Sequence, residues 1–390
     1  MNLCFECSEY PPGPHGGIGT LIQILARGLT RAGHEVRVVG IYPRDYPAPD
    51  YEEDQGVQVW RFRKERFRFG WVARRWRLYR MVAGWARRGE VDLIEVPDYA
   101  APAAGWPALP VPVVTRLSGA GSFFAAEMGR PRKRLFYLER ASVRRSDFWC
   151  SESRYLAGKT RELFGLRSEA DAIIYNPVEL HPLPAVNGRL PNRVMFAGTL
   201  TAKKGVIPLI RSWPAVLEAS PDAELHVFGK DGVTDSGGPM EQHLRSLLPP
   251  GIAKSVVFHG HVSLTDLLQE FQKTAVAVLP SYSEGFALTP LHAMAAGCAT
   301  IYTLRGSGPE LIEDGRHGLL VEPDDPAEIS KAIVRLLQDR ELTGRLSRAG
   351  RARVENDFSV EALVARNESF YRDCIQQFRD RRDQSREGRR

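Results

Sequence analysis

Short runs of β-branched and aromatic residues alternate along the chain with glycine- or proline-rich turns and amphipathic helical segments. The first run, "MNLCFEC", is followed by the helical pattern "TLIQILARGLTRAGHEV" and by a second strand, "VRVVGIY". Strands that alternate with helices form parallel sheets with helices on both faces. The rhythm begins again with "RVMFAGTL", "ELHVFGK", "SVVFHGHV", "VAVLPSY", "ATIYTL" and "GLLVEP". The sequence therefore predicts an α/β fold with two Rossmann-like, doubly wound domains.

A polar stretch divides the two series of strands. It reads "ELHPLPAVNGRLPN" and follows Asn176 and Pro177, which break the preceding strand. We place the first domain at residues 1–176 and the second at residues 177–361, and the helices from about Val360 onward can cap either domain. Ligands of such sheets bind at the carboxyl ends of the strands, so a cleft between two domains is the expected active site.

Composition excludes several classes of protein. The 390 residues are 43% apolar and 26% charged, which is typical of a soluble globular chain. No apolar run approaches the roughly 20 residues that cross a bilayer, and the N-terminus lacks the pattern of a secretory signal. The five cysteines are too scattered for a disulfide framework, and Cys4 and Cys7 are better explained by packing in a strand than by redox or zinc chemistry. We expect a cytoplasmic protein.

Two glycine-containing turns follow predicted strands. In "PPGPHGGIGT", the glycines Gly16, Gly17 and Gly19 precede a helix and allow backbone amides to approach an anion. The spacing matches neither a dinucleotide fingerprint nor a P-loop, and a plain tight turn explains one or two of the glycines. In "FAGTLTAKKGV", Lys204 stands beside Gly205 and can act as a point charge on phosphate, although solvated loop lysines are the commoner outcome.

The stretch "SEGFALTPLHAMAAGC" joins a strand to a helix. Thr289 is the expected N-cap and Pro290 the expected first helical residue. The loop with Glu284 would then present its amides at the positive helix end, and His292 would lie within the first turn. Glu284 and His292 can therefore face one ligand.

Together these stretches resemble the retaining glycosyltransferases of family four, which have the GT-B fold. The resemblance covers nearly the whole chain. Besides the three stretches above, it is carried by "RAGHEV", "DLIEVPDY", "IYNPVE", "HVFGK", "VVFHGHV" and "GSGPELIEDGRHGLLVEPDDPAEI".

The resemblance implies two domains that face each other across a cleft, with the last helix, about residues 362–390, crossing back onto the N-terminal domain. It implies that the C-terminal domain binds a nucleotide-diphosphate sugar, that the N-terminal domain binds an acceptor, and that transfer retains the anomeric configuration. It implies neither a metal ion nor a cofactor, because helix ends, glycine amides and a basic residue offset the diphosphate charge. Glu284, toward the sugar hydroxyls, and Lys204, toward the diphosphate, are the expected catalytic residues. Further donor-binding residues are Gly16, Gly17, Gly198, Thr199, Val262, Gly285, Phe286, Ala287, Leu288 and His292, and the acceptor side has His15, Asp98 and Ser118.

Three positions depart from the family pattern. Thr199 stands where an arginine commonly follows the glycine of the diphosphate loop, and Ser118 stands at the place of a histidine. His292 replaces the second glutamate, and an imidazole cannot hold two ribose hydroxyls as a carboxylate does. These departures leave two alternatives open, a catalytically silent nucleotide-sugar-binding or partner protein and a nucleotide-sugar epimerase.

Residues 61–88 begin at Arg61, end at Arg88, and interleave arginines with aromatic residues. One interpretation is a surface helix with a packed apolar face and a solvated basic face. The other is peripheral contact with an anionic membrane or with a lipid-linked or phosphorylated acceptor, as an alternative to an ordinary small-molecule acceptor. Nucleic acid is not expected, because no nucleic-acid-binding motif accompanies the charge.

Overall fold

The computed structural model describes residues 1–64, 70–129, 133–182 and 189–387. They form two compact units. Unit 1 comprises Met1–Pro177 and Val360–Arg390, and unit 2 comprises Val178–Ser359. Among the described residues, no helix is long and apolar enough to span a bilayer.

Unit 1 is built on an eight-stranded sheet. Its strands are β1 (Asn2–Glu6), β2 (Glu35–Tyr42), β3 (Tyr51–Asp54), β4 (Val57–Arg63), β5 (Leu93–Pro97), β6 (Val113–Leu117), β7 (Phe148–Ser151) and β8 (Ala172–Ile173). Their order in the sheet is β3-β4-β2-β1-β5-β6-β7-β8. The β3–β4 pair is an antiparallel hairpin at one edge, and every other neighbouring pair is parallel.

Helices cover this sheet, namely α1 (Gly17–Arg31), α2 (Gly70–Arg87), α3 (Gly121–Glu127), α4 (Lys133–Arg145) and α5 (Arg154–Phe164). Residues 61–88 are thus divided between β4 and α2, and residues 65–69 lie outside the described ranges. Leu78, Val82 and Trp85 of α2 are buried in an apolar cluster on the sheet. These three apolar side chains of the basic helix therefore pack within unit 1.

Unit 2 contains a six-stranded, wholly parallel sheet. Its strands are β9 (Leu190–Ala197), β10 (Glu224–Phe228), β11 (Val256–Gly260), β12 (Thr274–Leu279), β13 (Ala299–Thr303) and β14 (Leu319–Val321), in the order β11-β10-β9-β12-β13-β14. The helices are α6 (Val206–Ala219), α7 (Met240–Ser246), α8 (Leu264–Lys273), α9 (Leu288–Ala295), α10 (Gly308–Leu311), α11 (Pro326–Gln338) and α12 (Arg340–Arg353). A π-helical turn, Val354–Phe358, ends the unit.

The last helix, α13 (Val360–Glu387), belongs to unit 1. A buried polar network joins it to the sheet. Arg116 of β6 donates from Nε to Glu95 Oε1 at 2.7 Å, and the Tyr371 hydroxyl of α13 donates to Glu95 Oε2 at 2.7 Å. Arg116 also donates from Nη2 to Asn367 Oδ1 at 2.5 Å. The buried charges are paired and hydrogen-bonded, as burial of ionic groups requires.

Candidate active site

Two loops meet at the carboxyl edge of the unit 2 sheet. One follows β9 and ends in a 3₁₀ turn, Ala202–Lys204, and the other joins β12 to α9. Because β9 and β12 are neighbouring parallel strands, the loops that follow them lie side by side. Lys204 Nζ donates to Glu284 Oε1 at 2.5 Å, with 27% and 11% of the two side chains exposed. The structure thus brings together the two residues that the sequence singles out for catalysis.

Close backbone contact holds the two loops together. The amide of Tyr282 donates to the carbonyl of Lys203 at 2.8 Å. Gly205 has φ +70°, and a Cβ added there would lie 1.8 Å from the carbonyl oxygen of Pro280. A glycine is therefore required beside Lys204, and it fixes the position of the lysine relative to the Glu284 loop.

A cavity of about 350 Å³ lies at the same edge of unit 2. Three of the predicted donor-binding residues, Gly198, Thr199 and Val262, line it. Lys230, which follows β10, also lines it and was missed by the sequence analysis. The "HVFGK" motif marks a lysine after a strand, but only the pairing of β10 with β9 brings that lysine to this edge. The cavity therefore has a cation in addition to the nearby Lys204.

Helix α9 begins earlier than the sequence predicts. Its first residue is Leu288 and its N-cap is Ala287, which makes no side-chain capping bond, so Thr289 and Pro290 are the second and third helical residues. A proline is tolerated there because the first four amides of a helix have no intrahelical partner. Before the helix, the ring of Phe286 packs against Phe358 with 5.8 Å between centroids and anchors the loop that also contains Gly285.

His292 is the fifth residue of α9 and not part of its first turn. Its side chain is buried, with 7% exposed, and burial lowers its pKa to about 4. Within the described ranges, its buried Nδ1 has no hydrogen-bond partner. The imidazole is therefore neutral at pH 7, as expected from the sequence. Its side chain is more buried than a position in the first turn of the helix, facing a ligand, would suggest.

The glycine turn of unit 1 also differs from the prediction. Gly16 is the N-cap of α1 and Gly17 is its first residue, so Gly17 and Gly19 lie in the helix and do not precede it. Glu9 accepts a hydrogen bond from the amide of Gly19 at 2.8 Å. A carboxylate of the chain itself thus occupies this helix end, which the sequence analysis did not foresee. An acidic residue just upstream of the glycine run, in "SEYPPGPHGG", was the available signal.

Two of the three predicted acceptor-side residues are in contact. The buried Asp98 accepts from the amide of Ser118 at 3.0 Å and from the amide of Ala120 at 2.9 Å. Burial raises the pKa of Asp98 to about 7. His15 lies in the exposed loop before α1, where its Nδ1 is 2.7 Å from the carbonyl oxygen of Gly13. Asp98 therefore acts on the loop after β6 by holding its backbone.

Among the described residues, no group of three or more His, Cys, Asp and Glu side chains is placed to hold a metal ion. Lys230 lines the unit 2 cavity, and Lys204 lies near it beside Glu284.

Comparison with known proteins agrees with this architecture. The model of the glycosyl transferase 4-like domain matches residues 16–177, and that of glycosyl transferases group 1 matches residues 191–339. Glycogen synthase of Mycobacterium tuberculosis is 27% identical over 397 residues, which cover 95% of this chain and 94% of the relative. D-inositol 3-phosphate glycosyltransferase of Corynebacterium diphtheriae is 30% identical over 188 residues, covering 47% of this chain and 43% of the relative.

Solved structures show the same fold. Sucrose-phosphate synthase from Thermosynechococcus elongatus superposes with a TM-score of 0.79 at 20% identity, covering 96% of this chain and 99% of that one. Anabaena HepE, in complex with UDP and glucose, gives a TM-score of 0.73 at 16% identity, covering 95% and 98%.

The fold and the two matched domains define a glycosyltransferase with two Rossmann-like domains. Within that class, the chain belongs to the glycosyltransferases of family four with the GT-B fold. The predicted family, fold class and enzyme class are confirmed.

Proposed function

We propose that this enzyme moves a sugar from a nucleotide-diphosphate sugar to an acceptor hydroxyl, with retention of the anomeric configuration and without a metal ion or cofactor. Unit 2 binds the donor and unit 1 binds the acceptor. The observation that carries the proposal is the Lys204–Glu284 pair, 2.5 Å apart beside a glycine-lined cavity at the carboxyl edge of a parallel sheet. Binding of UDP and glucose by HepE, which has the same fold, supports a donor of this class.

Lys204 is paired with the carboxylate of Glu284. When the donor binds, Lys204 exchanges that carboxylate for a diphosphate oxygen, and Lys230 adds a second positive charge. Glu284 then accepts hydrogen bonds from the sugar hydroxyls. As the bond to the sugar breaks, the leaving diphosphate gains negative charge, which fixed cations stabilise most strongly in a partly water-excluded site. Backbone amides at Gly285, Ala287 and Leu288, at the start of α9, complete the diphosphate site.

Product analysis with a panel of nucleotide sugars and acceptors tests this proposal. We expect free nucleoside diphosphate only when an acceptor is present, an α-linked product from an α-linked donor by NMR, and unchanged turnover after dialysis against EDTA. An inverted product or loss of turnover in EDTA would contradict the mechanism. Epimerised donor sugar without an acceptor would identify an epimerase, and donor binding without any turnover would identify a silent binding protein.

We also propose that unit 1 contacts anionic membranes through the exposed face of α2, where it meets a lipid-linked acceptor. Val72 and Trp76 are 47% and 52% exposed, whereas Leu78, Val82 and Trp85 are buried. Arg77 is exposed as well, and so is Arg80, which lies one turn after Trp76 on the same face. Exposed tryptophan beside arginine is typical of helices at membrane interfaces. Liposomes with anionic lipid should sediment the wild-type protein, and the combined variant Trp76→Ala, Arg77→Glu, Arg80→Glu should stay in the supernatant. Equal sedimentation of both proteins would rule out this contact.

A further inference from the structure

Unit 1 contains a cavity of its own, with a volume of about 350 Å³. The end of β1 and the turn after it line the cavity with Glu6, Ser8 and Glu9, which we call its acidic wall, and α2 lines it with Arg74 and Arg75, its basic wall. The cavity lies at the carboxyl edge of the sheet, where a doubly wound domain binds ligands. Neither the catalytic pair nor the donor cavity accounts for it, since both belong to unit 2.

Both carboxylates of the acidic wall are held by hydrogen bonds within unit 1. Glu6 is 5% exposed and accepts a hydrogen bond from the Ser8 hydroxyl at 2.7 Å. Glu9 is held by the amide of Gly19. Burial raises the pKa of Glu6 to about 7, so near neutral pH it carries only part of a negative charge.

The basic wall is held by a strained turn. Arg75 donates from Nη2 to the carbonyl oxygen of Ala100 at 3.1 Å. Ala100 and Ala101 have φ angles of +59° and +53°, in the left-handed region that is unfavourable for a residue with a Cβ. Strain of this kind concentrates at functional sites, where the surrounding structure enforces it. Here it directs a carbonyl toward Arg75 and holds the guanidinium at the cavity.

The charges of the cavity do not cancel. Among the described residues that line it, Lys64, Arg74 and Arg75 are cationic, while Glu6 and Glu9 are the only carboxylates. Because Glu6 is partly protonated near pH 7, the positive excess is more than one charge. A partly enclosed positive site attracts anions, and arginine binds phosphate with two parallel hydrogen bonds. The carboxylates and Ser8 can meanwhile accept hydrogen bonds from hydroxyl groups.

We propose that this cavity is the acceptor site and that it binds a polyhydroxylated molecule carrying a phosphate monoester, with the phosphate on Arg74 and Arg75 and the hydroxyls toward Glu6, Ser8 and Glu9. The inference rests on the proposed function, because it names the acceptor class of that reaction. The volume is at the small end for ligand pockets, which favours one sugar or polyol unit over an oligosaccharide. The phosphate can belong to a soluble molecule or to a lipid headgroup.

Calorimetry on the full chain tests the proposal with glucose 6-phosphate, glycerol 3-phosphate and uncharged glucose as probes. At least one phosphate should bind 10-fold or more tightly than glucose. Arg75→Gln and, separately, Arg74→Gln should each weaken that binding at least 10-fold. The matched control is Arg87→Gln at the end of the same helix, where the side chain is exposed and does not line the cavity, and it should bind as wild type. Equal binding of glucose and the phosphates, or an equal loss in the control, would overturn the proposal.

Vesicles of phosphatidylcholine with phosphatidic acid distinguish the two sources of phosphate. Arg75-dependent binding to these vesicles, without binding of the soluble phosphates, would assign the site to a lipid headgroup. Binding of neither soluble phosphates nor vesicles would refute the site. Nucleoside diphosphate affinity is measured on the same variants and should stay unchanged in Arg75→Gln. If Lys204→Met kept full nucleotide affinity while Arg75→Gln lost phosphate binding, the proposed function would fail and the anion site would stand.

Discussion

We expect substitutions of Lys204 and of Glu284 to have opposite effects on nucleotide binding. Lys204 Nζ lies 2.5 Å from a carboxylate oxygen of Glu284. A diphosphate must compete with that carboxylate for the same ammonium group. Removing the lysine should therefore weaken nucleotide binding, whereas removing the charge of the glutamate should leave it intact or strengthen it.

The magnitudes follow from the contacts. A hydrogen bond to a charged group contributes about 1.5–3 kcal/mol, and about 1.4 kcal/mol is a factor of ten, so Lys204→Met should weaken nucleoside diphosphate binding by about 10- to 150-fold. Partly exposed ion pairs contribute up to about 1 kcal/mol, so Glu284→Gln should tighten binding by at most about 5-fold. Because Glu284 is assigned to the sugar hydroxyls, its variant should still lose turnover.

Calorimetric titration with the nucleoside diphosphate that most raises the melting temperature of the wild type measures both effects. Lys254→Met is the matched control, since this exposed lysine lies in another 3₁₀ turn of unit 2, Ala253–Ser255, away from the cavity. The double variant Lys204→Met, Glu284→Gln should bind as weakly as Lys204→Met alone. A loss of nucleotide affinity in Glu284→Gln as large as that in Lys204→Met would refute competition between the carboxylate and the diphosphate.

Three further predictions concern backbone, ribose contact and pH. Gly205→Ala should lower the melting temperature more than Gly237→Ala, because both residues have positive φ but only a Cβ at Gly205 would meet the Pro280 carbonyl, at 1.8 Å. Equal shifts would show that the close approach carries no cost. His292→Glu should keep or improve nucleotide affinity, since a carboxylate can accept from two ribose hydroxyls, yet lower the melting temperature because it buries a charge; a collapse of affinity in calorimetry would assign the histidine another role. Burial raises the pKa of Glu152 from its ordinary 4.5 to about 7, so the folded chain holds a proton between these values that the unfolded chain releases, and stability falls as pH rises through this window. Glu152→Gln should remove up to about 1.4 kcal/mol per pH unit of that dependence in urea unfolding at pH 5, 6 and 7, and an unchanged slope would show that Glu152 does not titrate there.

The fold class followed from the sequence because strand and helix periodicities are local. The β3–β4 hairpin at the edge of the unit 1 sheet was missed because its local pattern is irregular. In "YEEDQGVQVWRFR", charged residues interrupt the apolar pattern, and β3 and β4 are joined by Gln55 and Gly56 at φ +51° and +85°. Asparagine-glycine is the usual signal for such a turn, and glutamine-glycine is a weak one. The strand expected in "AIIYNPV" shortens to Ala172–Ile173, beside the single neighbour β7.

The candidate site was predictable where a motif marks a strand end, as at Gly198 and Lys204. It was not predictable where the order of strands in the sheet, and not a local motif, brings a residue to the site. Lys230 reaches the cavity only because β10 lies beside β9, and sheet order is not written in any local pattern. Glu9 likewise reaches the start of α1 through a turn whose path the sequence leaves open. Motif spacing therefore gives the position of each loop along the chain, and topology decides which loops meet.

The departures from the family pattern at Thr199 and His292 each change the charge of the site. The family pattern places an arginine at the first position and a glutamate at the second, so this chain lacks one cation and one carboxylate. His292 is neutral at pH 7, because burial lowers its pKa to about 4. The two replacements therefore cancel in charge, and the site keeps the net charge that the family pattern gives it. Lys230 lines the same cavity as Thr199, so a positive charge remains within that cavity. A site that keeps this positive charge can stabilise a departing diphosphate, as the proposed transfer requires.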